Sequence, residues 1–127
     1  MPHLVLRGTA DLTRITAELD PGVVRWGRAV IKTADRWQRA DAEAILVDGV
    51  VVELSRPLHP VALIALRDGD TVVRLWPVVE VERTPAVQHW LGVLASELQR
   101  LGAGPVTTTN IGPESLDGLG LTLAMSP

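Results

Sequence analysis

The sequence predicts a single α+β domain over residues 1–127, built from two β-α-β units with an extra β-hairpin between them. Three observations carry that reading. The first is size: 127 residues suit one domain with one shared core. The second is an apolar stripe near the C-terminus that recurs at helical spacing. The third is a repeated pattern. Pro2 and Pro77 each open an alternating strand, and each strand leads at the same spacing to a threonine placed to cap a helix, Thr9 and Thr84. A Pro-marked turn and β-rich sequence then follow in both halves, the mark of a duplicated β-α-β unit.

The stripe defines the second helix. Thr84 is a good N-cap, and Pro85 sits at the first helical position, where its missing N–H does no harm. Val87, Trp90, Leu91, Leu94, Leu98 and Leu101 follow at intervals of three and four, until Gly102 stops the helix. The first helix runs from the Thr9 cap, with Leu12, Ile15 and Leu19 on one face, and ends at Asp20-Pro21-Gly22.

Strands come from shorter patterns. Residues 3–7, 78–82 and 106–111 read as strands, and residues 61–66 and 71–75 as a hairpin around Arg67-Asp68-Gly69-Asp70. Residues 44–47 and 50–53 flank Asp48-Gly49, which fits either a tight hairpin or one bulged strand. Residues 55–60 contain two prolines and read as a loop. Residues 23–38 fit a helical stripe through Trp26 and Trp37 as well as a strand; β-favouring residues tip residues 28–36 towards strand. The tail, 112–127, reads as a cover for a sheet edge or a neighbouring subunit.

Composition excludes several functions. The absence of cysteine removes disulfides and thiolate chemistry. A net charge of −3 and a pI near 5.5 argue against nucleic acid as a partner. No apolar run approaches a membrane span and no charged-then-apolar leader opens the chain, so the expected setting is soluble and cytoplasmic. His3, His59 and His89 have no ligand spacing, so no metal is expected. No cofactor is expected either: Gly118-Leu119-Gly120 is not a phosphate loop, and no serine has a nucleophile-elbow context.

The opening Met1-Pro2-His3-Leu4-Val5-Leu6-Arg7 resembles that of the tautomerase superfamily, and Trp76-Pro77-Val78-Val79-Glu80-Val81 resembles the start of that family's second half. The likeness covers residues 1–9 and about 72–111; the middle is longer than in the family. It implies a sheet backed by two helices, usually assembled as a trimer. It also implies that Met1 is removed and Pro2 becomes the catalytic base, a secondary amine whose pKa burial and nearby cations would lower. Such an amine can move a proton next to a carbonyl. By the same likeness Arg14, on the first helix, and Arg36, near the second strand with Arg39 close by, are the substrate-binding residues for a small keto or enol acid. The expected function is therefore a tautomerase or isomerase; the alternative is a non-catalytic oligomeric binding or structural module.

Overall fold

The computed structural model describes residues 1–125; residues 126 and 127 of the expected tail lie outside the described residues. The strands are β1 (His3–Leu6), β2 (Val23–Trp26), β3 (Ala29–Gln38), β4 (Ala44–Glu53), β5 (Arg56–Leu58), β6 (Val61–Arg67), β7 (Asp70–Leu75) and β8 (Val106–Thr109). The helices are α1 (Leu12–Glu18) and α2 (Pro85–Arg100), and a short 3-10 helix spans Pro113–Leu116. All strands join one curled sheet in the order β2-β3-β4-β6-β7-β1-β8, with β5 beside β4.

This corrects the expected α+β, tautomerase-like fold of two β-α-β units backed by two helices. Every paired strand is antiparallel, whereas a β-α-β unit sets its strands parallel. After α1 the chain does not return to β1's side but restarts at β2, on the opposite edge of the sheet. In the second half β1 lies between β7 and β8. The repeated Pro-to-Thr spacing is therefore not a structural repeat.

The strand expected at 78–82 is also absent. Residues 76–84 form an irregular segment in which Val78 and Val79 are exposed. β7 already has β6 on one side and β1 on the other, so the chain beyond Leu75 leaves the sheet to reach α2. Conversely, the expected loop at 55–60 holds β5, which turns back on β4 through Leu54 and Ser55, both at positive φ.

Elsewhere local chemistry decides the form. The Thr84 hydroxyl accepts the Val87 N–H at 3.1 Å and caps α2 as expected. Asp11, rather than Thr9, caps α1, its Oδ1 accepting the Arg14 N–H at 3.1 Å. The ambiguous stretch is a strand pair, β2 and β3. The open question at Asp48-Gly49 resolves as one continuous strand, β4, opposite a bulge between Thr33 and Arg36 of β3.

Gly49 is there for contact, not for a turn. A Cβ at this position would lie 2.6 Å from the Trp90 ring. Trp90 is fully buried against the strand, and its indole N–H reaches the Thr33 hydroxyl at 3.1 Å. Around it Leu91, Leu94 and Leu98 of α2 meet Leu4, Ile31, Ile45, Val47, Ile64 and Val73 from the inner side of the sheet.

α2 is buried on its other side too. The segment after β8 crosses it, bringing Leu116 and Leu119 so close that a Cβ on Gly92 would collide with both. The backbone of Thr122 and Ala124 then bonds to Val106. The tail thus covers the helix as well as an edge. The layers run tail, α2, sheet; among the described residues nothing covers the sheet's outer side.

Candidate binding face and N-terminal clefts

Strand register fixes what lies on that outer side. One row crosses the sheet through Trp37, Leu46, Leu63, Arg74 and His3. The next row runs through Ala44, Ala65, Val72 and Val5, and the row on the other flank holds Asp48 and Val61. Residues between these rows, such as Ile45, Ile64 and Val73, point into the core. Both faces of β4 and β6 are therefore largely apolar, while the outer side of β7 sets Val72 between Asp70 and Arg74. An antiparallel sheet with one face in water ordinarily alternates apolar with polar residues.

A slot of about 280 Å³ opens on this face, lined by Arg39, Ala44, Ile45, Leu46, Leu63, Ala65 and Trp76. Its wall is almost entirely carbon. Arg39, at the rim, is held by Asp41 through Nη2–Oδ2 and Nε–Oδ1 contacts, each of 2.8 Å. That hydrogen bond raises the Arg39 pKa and lowers that of Asp41. Beside the slot stands Trp37, 54% exposed. Arg74 and Asp48 are half-buried on the same face, and among the described residues neither forms an ion pair.

Two larger clefts meet at the N-terminus. One, about 490 Å³, lies between Met1 and residues 75–83, including Glu80, Glu82 and Arg83. The other, about 390 Å³, is lined by Met1, His3, Arg67, Asp68, Asp70 and Arg74 among others. The Met1 carbonyl between them accepts hydrogen bonds from Asn110 Nδ2 at 2.9 Å and His3 Nδ1 at 3.1 Å.

The residues singled out from sequence do not gather in one place. Pro2 is buried at the start of β1. Arg14 and Arg36 flank α1, which follows the far end of that strand. Arg14 donates to Glu18 at 2.7 Å and to the Leu101 carbonyl at 3.2 Å, closing the C-terminus of α2. Arg36 Nε donates to the Thr16 carbonyl. Both guanidinium groups thus tie α1 to its neighbours, and neither lines an N-terminal cleft.

His89 is buried between α2 and the tail. Its Nδ1–H donates to the Ser115 carbonyl at 2.7 Å, and its ring stacks on Trp26 with centroids 4.4 Å apart. Burial holds its pKa below the ordinary histidine value. No group of three or more metal-ligating side chains occurs among the described residues. Nor, among them, is any helix long and apolar enough to cross a membrane.

No protein-family model, curated protein or solved structure matches this chain.

Sequence reasoning missed the outer face because it read residues 44–53 and 61–75 for turns and β-rich composition, not for how many faces are covered. The signal was present: residues 44–47, 50–52 and 61–66 are nearly continuous apolar runs, the signature of strands covered on both sides. Trp37, Arg74 and Trp76 acquire a role only once register places them together.

Proposed function

We propose that this chain is a binding module whose working surface is the outer sheet face around the apolar slot. The observation that carries the reading is the pairing of that slot with an exposed tryptophan on a face that no other element covers among the described residues. The slot's size supports a side-chain guest: about 280 Å³ falls just below the roughly 300–1,000 Å³ of sites that enclose small molecules. Tryptophan is also the residue type most enriched at binding hot spots. The test is titration of an apolar anionic dye, anilinonaphthalene sulfonate, at sub-micromolar chain concentration. Saturable binding to the native protein is expected, lost in Leu63→Lys with its circular dichroism intact. Failure of the native chain to bind the dye would contradict a docking face.

A second reading rests on Met1. It lines both N-terminal clefts, so its removal would leave the Pro2 amine where they meet, with Arg74 in one and Arg83 in the other. An amine beside such cations would act as a base on a small keto or enol acid, giving weak tautomerase activity. Comparing the processed chain with one retaining Met1 tests this. Equal rates in the two forms would exclude Pro2 as the base.

A further inference from the structure

We infer that the occupant of the outer face is a second copy of this chain, packed sheet against sheet about a two-fold axis; this rests on the docking-face reading above.

Two charges stand on this face, Arg74 and Asp48. Arg74 lies opposite Leu63 on β6, and Asp48 lies opposite Val61, two residues away along the same strand. With strands about 4.8 Å apart and about 3.4 Å per residue, the two Cα positions are separated by roughly 12 Å. In the folded chain they do not pair with each other. Each is half-buried without an ion-pair partner among the described residues.

A two-fold axis lying between two facing sheets, and crossing β6 between Val61 and Leu63, exchanges those positions. Arg74 of each copy then stands over Asp48 of the other, and both ion pairs form at once. The same operation carries Trp37 onto the position of Ala65. Trp37 and Arg74 occupy one row, at opposite sides of β4 and β6, and Ala65 is the floor of the slot. One axis thus satisfies two independent demands, the unpaired charges and the exposed indole. The strands of the two sheets would cross steeply, towards the orthogonal class of sheet packing.

Five strands with about seven residues each span on the order of 600 Å² in plan, the scale of the ~800 Å² per partner of a stable interface. A two-fold interface is self-complementary by construction. The assembly inferred is therefore a dimer, in place of the trimer the family likeness implied.

Sedimentation equilibrium, with dye binding followed in parallel, tests this. The native chain should sediment at twice its 13.7 kDa mass at tens of micromolar, and dye should be displaced as concentration rises. Arg74→Asp and Asp48→Arg alone should each weaken association at least about tenfold. The double variant, carrying both exchanges, should restore it. Trp37→Ala should weaken association by about thirtyfold or more, with circular dichroism and thermal midpoint at high dilution unchanged. A monomer at all concentrations that still binds dye would overturn the second copy while leaving the docking face intact. A monomer that binds no dye would remove both. A dimer insensitive to the charge reversals and to Trp37→Ala would place the contact elsewhere and overturn the inference.

Discussion

Trp90 and Trp37 stand on opposite sides of the same sheet, and their surroundings differ completely. Trp90 is sealed between α2 and β4, over a glycine, with its N–H satisfied by Thr33. Trp37 projects from β3 and is 54% exposed. Yet β4, which Trp90 covers and whose Leu46 lies opposite Trp37, is largely apolar on both faces. The inner face was completed by the chain's own helix, and the tail then covered that helix. The outer face is also rich in apolar residues, with Arg74 and Asp48 among them, and has no cover among the described residues. Burial that a chain leaves unfinished on a surface of this kind points to a partner.

The comparison breaks most visibly at Trp90. Trp90→Ala should cost about 3–5 kcal/mol in urea unfolding, out of a typical total of about 5–15 kcal/mol. An unchanged midpoint would mean that the inner face does not depend on its largest side chain. Gly49→Ala attacks the same contact from the strand. Its methyl group would sit 2.6 Å from the indole, so a loss of about 1–3 kcal/mol is expected from overpacking. Equal or greater stability would show that Trp90 shifts freely.

On the outer face the stability effect should be small and of another kind. At high dilution, Trp37→Ala should stay within about 0.5 kcal/mol of the native chain. The native thermal midpoint should rise with protein concentration, as mass action requires of a dimer, and that of Trp37→Ala should not. Parallel concentration dependence in the two proteins would place the association elsewhere.

The smallest effect concerns the seam between α2 and the tail. Burial lowers the folded pKa of His89 from 6.5. As pH falls below about 6.5, the unfolded chain takes up a proton that the folded chain resists, so stability declines until pH passes the folded pKa. His89→Gln should flatten that part of the stability profile. Glu97, whose carboxylate is held low by hydrogen bonds from Arg100, keeps its contribution above about pH 4.5 and loses it only below. A native-like slope near pH 6 in His89→Gln would assign the effect to another group.

What was legible in the sequence was local. Local signals sufficed where the chain answers to itself: Thr84 and Pro85 began α2, its stripe named the buried residues, and the charged turn at 67–70 made the β6–β7 hairpin. They failed where pairing is settled over distance. Nothing local said that β1 would separate β7 from β8, or that residues 78–82, as strand-like as any, would find both sides of β7 taken. Gly49 fitted either a turn or a bulged strand, because only the folded protein reveals the indole above it. The N-terminal motif drew attention to Pro2, whereas Arg74 and Asp48, half-buried without ion-pair partners among the described residues, lie on strands with no motif at all. Arg14 and Arg36 have evident structural partners, the ends of two helices, which spacing could not disclose.

The central claim is that the outer face is closed by a second copy across an axis near Val61 and Leu63. The chain has no cysteine, so one introduced thiol reports without background. Val61→Cys lies beside the axis, and Val23→Cys, on β2 and 60% exposed, lies far from it. With a short bis-maleimide at tens of micromolar, Val61→Cys should give a covalent dimer and Val23→Cys should remain a monomer. Efficient cross-linking of Val23→Cys with none at Val61→Cys, or none at either position, would contradict the account.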